Sequence, residues 1–256
     1  MSNRVTQPPL GTPLKMSHPL SKGLVGCWLL NEGGGQLAFD SVGINNIPGA
    51  LTNGAAFQSK QIGNCVNFDG TNDYISCGDG QYTGAFFTAS AWIYKTDSSQ
   101  GGVVARTELL TSANYYIRVG GNSGFFNTVP TVQEMFTINP TLNTWAHIAL
   151  TYDGVTLIYY INGVVSSSAA KTGVPQNSVG MAIGRPGTFD GQYFSGEIQN
   201  VLVYNRALSA TEVKQLYINP YSMFQGGISM FGEIPIVARG SMWMKRMIPS
   251  LMVAGR

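Results

Sequence analysis

Between residues 23 and 219, apolar and polar positions alternate in short runs separated by Gly, Asn and Asp. A period of two sends successive side chains to opposite faces of a strand, so this body reads as β throughout. "NTWAHIALTYDG" alternates cleanly and ends on an Asp153-Gly154 turn. In "TLIYYINGVVSSS", Asn162-Gly163 can supply the two positive φ angles of a type I′ turn, which predicts a hairpin with strands near 156–161 and 164–168. Further strands are expected in "LVGCWLL", "FTASAWIY", "GVVAR", "YYIRV", "EMFTI", "GMAIGR" and "EIQNVLVYNRAL". The period changes once, in "LSATEVKQLY". There Ser209 and Glu212 form an S-x-x-E capping box, Val213, Leu216 and Tyr217 recur at helical spacing, and Asn219-Pro220 stops the helix.

Composition sharpens this picture. A chain of 256 residues is a normal size for one large β sandwich. Charged residues make up 11%, against about 25% in an ordinary soluble domain, so the surface is built from small polar residues or is covered by partners. The net charge of +2 gives no whole-chain nucleic-acid signature. Charge is also segregated: residues 1–22 carry +3, residues 220–256 carry +3, and the body between them carries −4. Both flanks are basic and rich in Pro and Gly, which predicts three parts: a basic N-terminal arm (1–22), the sandwich (23–219) and a Met-rich basic C-terminal arm (220–256). The opening "MSNRVTQPPLGTPLKMSHPLSKG" has consecutive prolines and no apolar stretch, so it does not read as a secretory signal. No run reaches the roughly 18 apolar residues of a membrane-spanning helix. A hairpin joining "CVNF" to "DYISC" would set Cys65 opposite Cys77, but a bridge needs specific geometry, and free thiols are the expectation. With His18 and His147 as the two histidines and no CxxC, structural zinc is not expected.

The order of "GLVGCWLLNEGGG", "VNFDGTNDYISCG", "TASAWIY", "NTWAHIALTYDGVTLIYYINGVV", "AIGR" and "GEIQNVLVYNRALSATEVKQLY" resembles the concanavalin A-like lectin/glucanase superfamily, in its laminin G-like, pentraxin-related branch. The resemblance spans about residues 23–219 and neither arm. It implies an all-β fold: a jelly-roll sandwich of two antiparallel sheets with one short C-terminal capping helix, here flanked by extended N- and C-terminal arms.

Fold alone does not fix function. Glucanases of this superfamily carry E-x-D-x-E or E-x-D-x-x-E on one strand, because a nucleophile and a general acid need a separation of about 5 Å. No strand here carries two such glutamates, and Glu197 is expected as a strand-end carboxylate in solvent. His147 sits inside a strand and reads as a sheet-face residue. No catalytic residues are therefore assigned, and an enzyme is not expected. The resemblance also allows Ca²⁺ at a sandwich rim, where Asp69 and Asp73 of "FDGTNDY", or Asp40, would be the ligands. Tight turns use the same residues, and Ile198-Gln199-Asn200-Val201 stands where relatives often read "IDEV". No cofactor is expected beyond that calcium option. Lectins stack a pyranose on an aromatic ring, so Arg185, Phe189, Asp190 and Tyr193 of "RPGTFDGQYF" form a candidate glycan loop, and "ELLTSANYY" carries suitable residues as well.

Six of the ten methionines lie after residue 220, which suits an adaptable contact surface, either folded back over its own sandwich or docked on a neighbouring subunit or another protein. Its candidate contact residues are Met230, Phe231, Met242, Trp243, Met244, Lys245, Arg246 and Met247. The "NRALSATEV…LY" ending with an "NPYSMF" tail resembles structural proteins of tailed bacteriophages. That resemblance implies a non-enzymatic virion protein assembled in the host cytoplasm, most naturally a capsid decoration or cement protein. Its expected partners are further copies of itself, with a trimer as the natural form, and the major capsid protein, with neither nucleic acid nor membrane. The alternative is a lectin-like carbohydrate-binding module of a phage fibre or adhesin.

Overall fold

The computed structural model describes residues 6–43, 48–60, 63–78, 85–106, 115–120, 122–128, 131–170, 180–185 and 192–225. The first strands are β1 (Leu24–Trp28), β2 (Leu37–Ala38), β3 (Gly49–Thr52), β4 (Ala56–Lys60), β5 (Gly63–Asp69) and β6 (Tyr74–Ser76). They are followed by β7 (Phe87–Lys95), β8 (Gly101–Arg106), β9 (Tyr115–Val119), β10 (Asn122–Thr128) and β11 (Thr131–Thr137). The last are β12 (Trp145–Tyr152), β13 (Thr156–Ile161), β14 (Val164–Ala170), β15 (Met181–Ile183) and β16 (Ser195–Tyr204), ahead of helix α1 (Ala210–Ile218).

Two antiparallel sheets stack face to face. One runs β14-β13-β12-β7-β16-β5-β4, with β1 also paired to β16; the other runs β11-β10-β9-β8-β15-β6-β3-β2. The alternation read in the sequence decides what meets between them. Ala89, Ala91 and Ile93 of β7 and Ile148 and Leu150 of β12 point inward, where they join Val104, Ile117 and Ile183 of the opposite sheet in one buried core. Phe87 stacks on Tyr115 across the gap, with ring centroids 4.3 Å apart. The predicted hairpin is present, with Asn162 at φ 51° and Gly163 at φ 75°.

The outer face of the first sheet carries a second core, contributed by three distant parts of the chain. Val213 and Leu216 of α1, Leu20 ahead of β1, and Tyr221, Met223 and Phe224 after the helix all pack there on Ala149, Tyr160, Leu202 and Tyr204. The capping box forms as read: the Ser209 side chain accepts from Glu212 N–H, and the Glu212 carboxylate accepts from Ser209 N–H. Arg206 grips Glu212 through two N–H groups at 3.1 and 2.7 Å, and its Nε donates to the Lys22 carbonyl at 2.7 Å. That guanidinium holds the Glu212 carboxyl below its ordinary value.

The stretch expected as an N-terminal arm is seated on the body from residue 6. Gln7 donates to the carbonyls of Leu29 and Asn64 and accepts from Asn64 N–H at 2.8 Å. Lys15 N–H donates to the Met223 carbonyl at 2.8 Å, and Gln225 N–H to the Pro13 carbonyl at 3.0 Å. Packing therefore extends past 23–219 in both directions, to Gln7 and to Gln225.

The free thiols are as expected, and the hairpin that would set Cys65 opposite Cys77 does not form. β5 and β6 do not form a hairpin, because β5 pairs with β16 and β4 while β6 pairs with β15 and β3 in the other sheet. The turn after Asp69 carries the chain from one sheet to the other, so Cys65 and Cys77 are not cross-strand neighbours. Cys27, Cys65 and Cys77 are free and buried; burial pushes the Cys65 thiol up to about 12.

Candidate functional site

Beyond the edge of the second core, the same outer face changes character. On β7 and β12 the solvent phase of the alternation is aromatic: Trp92 and Tyr94 alternate with Ala91 and Ile93, and Trp145 and His147 with Ala146 and Ile148. Antiparallel register places Trp145 opposite Tyr94 and His147 opposite Trp92. On the other side of β7, Glu197 lies opposite Tyr94 and Gln199 opposite Trp92. Two rows thus run across the strands, Trp145–Tyr94–Glu197 and His147–Trp92–Gln199.

A bulge keeps this arrangement in phase. The register of β16 against β7 shifts between Gln199 and Leu202, with Asn200 at φ 50° as the extra residue. Without it, a strand that puts Glu197 and Gln199 outward would put Val201 and Val203 outward too. With it, both valines reach the inner core.

The helix end shapes the rows into a concavity. Tyr217, in the last turn of α1, stacks on Trp92 at 5.6 Å with the rings 21° from parallel. Trp92, Trp145, Gln199, Tyr217, Ile218, Pro220 and Tyr221 line a cavity of about 170 Å³. Trp92, Tyr94, Trp145 and Tyr217 are only partly buried, so ring surface faces water. Trp92 Nε1, Gln199 Oε1 and His147 Nδ1 are buried, with no hydrogen-bond partner among the described residues. Burial drives the His147 pKa down to about 3, so the imidazole packed beside Trp92 is neutral, and none of the residues lining the cavity carries a charge. At the end of the outer row, Glu197 Oε1 and Lys60 Nζ form an ion pair at 2.8 Å. Glu197 is 6% exposed, which corrects the expectation of a carboxylate in solvent: the strand buries it and Lys60 compensates its charge.

The residues singled out from the sequence fall elsewhere. Asp73 is 1% exposed and accepts from the N–H groups of Gly54 and Asp69, while Asp69 accepts from those of Thr71 and Asn72, so both hold turn backbone. Asp40 does the same for Cys27 and Val42. Among the described residues there is no group of three or more His, Cys, Asp or Glu placed to hold a metal. Arg185 lies over the Tyr74 ring at 3.8 Å, and Tyr193 is partly buried beside Phe194 at the opening of β16. Phe189, Asp190, most of "ELLTSANYY" and the segment from Met230 to Met247 lie outside the described residues. Trp92, Tyr94, Trp145, Gln199 and Tyr217 were not singled out as a site from the sequence. A signal for three of them was present, in aromatic residues occupying the phase of a strand that should be polar.

The sandwich is shared with known proteins at low identity. Domain 4 of AbnA, a GH43 extracellular arabinanase of Geobacillus stearothermophilus solved with arabinotriose, matches at 20% identity and a TM-score of 0.59, over 76% of this chain and 98% of that one. The botulinum neurotoxin type G receptor binding domain matches at 16% and 0.58, over 76% of this chain and 51% of that one. A Trypanosoma rangeli sialidase solved with sialic acid matches at 16% and 0.57, over 79% of this chain and 34% of that one. The chain thus spans the whole of one such neighbour, half of the next and a third of the last, and the likeness is one of fold. No curated protein matches the sequence. The family model of the concanavalin A-like lectin/glucanases superfamily matches residues 69–214. With its two antiparallel sheets, its capping helix and that match over more than half its length, the chain is a laminin G-like member of the concanavalin A-like lectin/glucanase superfamily.

Proposed function

We propose that this protein is a non-catalytic, lectin-like binding module that holds carbohydrate on the outer face of the helix-side sheet. The observation carrying the reading is the set of partly exposed rings, Trp92, Tyr94, Trp145 and Tyr217, gathered at an uncharged cavity. Sugar rings present apolar C–H faces and polar edges. Such a ligand covers aromatic surface with the first and keeps the second for solvent and polar side chains at the rim. Against turnover, Glu197 is buried in an ion pair with Lys60, and β16 carries no second glutamate. The neighbours solved with arabinotriose or as receptor-binding domains support a binding role of this general kind.

A glycan array with the full chain and its Trp145→Ala variant tests the proposal. Hits that disappear in the variant support it. An array without hits overturns it, and hits lost on Tyr193→Ala but kept on Trp145→Ala move the site to the loop around Arg185.

The virion role is a second, compatible reading. It is favoured by the sequence after Gln225, 31 residues that carry five methionines and a net charge of +3. On this reading the segment grips neighbouring subunits and a capsid protein while the sandwich faces solvent. Removing residues 226–256 then abolishes incorporation into particles, and normal incorporation of the truncated chain overturns the reading.

A further inference from the structure

The outer row does not stop at Glu197. Val66 and Phe68 of β5 point into the inner core, so Asn67 between them faces outward. Register sets Asn67 opposite Glu197 on one side and opposite Ala56 of β4 on the other. Trp145, Tyr94, Glu197, Asn67 and Ala56 therefore form one line across five strands. Adjacent strands lie about 4.8 Å apart, so Trp145 and Asn67 stand three steps, about 14 Å, from each other, more than one sugar ring covers. The line is open to solvent along this length. Trp145, Tyr94 and Asn67 are half-buried, the Lys60 side chain paired with Glu197 is 39% exposed, and Ala56 is exposed and too small to raise a wall.

The ring centroids of Trp145 and Tyr94 are 5.8 Å apart, but their planes are turned 52° from each other. One flat ring cannot lie on both, whereas consecutive units of a chain, each rotated against the last, can. An extended sugar chain also advances per pyranose unit by close to the spacing between strands, so its units keep step with the residues of the line. The charges on this line are already matched. Glu197, 6% exposed, holds Lys60 at 2.8 Å, and none of the residues lining the adjoining cavity is charged. A ligand carboxylate would have to draw Lys60 away and leave Glu197 buried without compensation, which is strongly unfavourable.

We infer that the outer row binds an uncharged, linear oligosaccharide that crosses the strands from Trp145 to Asn67 and is at least three units long. Successive units lie on Trp145 and on Tyr94, and the next meets the Asn67 amide beyond the ion pair. This assignment rests on the carbohydrate-binding reading above and narrows its ligand to one class.

The test is calorimetric titration of the full chain with linear gluco-, xylo-, manno-, galacto- and arabino-oligosaccharides, from monosaccharide to hexasaccharide, and with an oligogalacturonate beside the galacto-oligosaccharide of the same length. In at least one neutral series, affinity is expected to rise tenfold or more between monosaccharide and trisaccharide and to level off once the line is filled. In Asn67→Ala, trisaccharide affinity is expected to fall to near that of the disaccharide, whose own affinity stays unchanged. A monosaccharide bound as tightly as the trisaccharide of its series overturns the assignment, as does an oligogalacturonate bound more tightly than its neutral counterpart. A gain with length that survives Asn67→Ala in folded protein overturns it too. Array hits confined to branched ends, with every linear series silent, overturn it and leave the carbohydrate reading standing. Silence of every series together with an empty glycan array overturns that reading itself. If Asn67→Ala does not fold, the length profile of the unsubstituted chain decides.

Discussion

Ala149, Tyr160, Leu202 and Tyr204 lie on the same face of the same sheet as Trp92, Trp145 and Gln199, yet the first group is sealed under chain and the second borders a cavity. The strands supply both patches by the same alternation, so strand chemistry does not explain the difference. What differs is cover. Three segments converge on the first patch: the turn around Leu20, the helix from Ala210, and the stretch from Tyr221 to Phe224. At the second patch the helix ends, and its last residues form a wall instead of a lid. Partly exposed tryptophan beside sealed leucine on one surface marks where the fold stops covering its outer face.

The comparison can be broken most strongly from the covered side. Leu216, 1% exposed beneath the helix, is expected to lose about 2–5 kcal/mol of unfolding free energy on Leu216→Ala, measured by chemical denaturation. Trp145→Ala should do the reverse, leaving the denaturation midpoint nearly unmoved while glycan affinity falls about tenfold or more, equivalent to roughly 1.4 kcal/mol. If Trp145→Ala instead unfolds the protein as Leu216→Ala does, the two patches are not distinct. Ser209→Ala removes half of the capping box and is expected to cost about 1 kcal/mol, read in the same assay.

The smallest effect is one of pH. His147 is held neutral by burial with a pKa near 3, below the ordinary value of about 6.5 that it regains on unfolding. The unfolded state therefore binds the extra proton, so stability is full above the unfolded value and declines as pH falls below it. The loss between pH 7 and pH 6 is roughly 0.7 kcal/mol and should be absent from His147→Phe in thermal melts across that window.

Elements whose signals are local were legible in the sequence. Asn162-Gly163 marked its hairpin and Ser209-x-x-Glu212 its helix start, since a turn or a cap is decided by adjacent residues. The N-terminal segment was not legible in the same way. Its prolines and charge suggest an extended arm, but Gln7 finds Asn64 and Lys15 finds Met223, and no composition encodes such partners. The separation of β5 from β6 was hidden for a related reason, because a short turn between two strands looks the same whether they pair or cross between sheets. At the candidate site, the strand aromatics announced themselves by standing on the polar phase of β7 and β12. The cavity did not, because Tyr217 and Pro220 are brought to Trp92 by the docking of a helix far along the chain.

The hydrogen bonds joining Lys15 to Met223 and Gln225 to Pro13 have a further consequence. They fasten the incoming and outgoing chain to each other close in sequence to Tyr221 of the cavity wall, so under the proposed carbohydrate-binding role anything borne on either continuation is tethered within a short reach of the ligand. Capture at one position then presents the other at a high local dose, on the order of millimolar for short linkers. Two individually weak attachments can in this way hold as one durable attachment, and shortening or lengthening the chain just beyond Gln225 tunes that grip without touching a residue of the pocket.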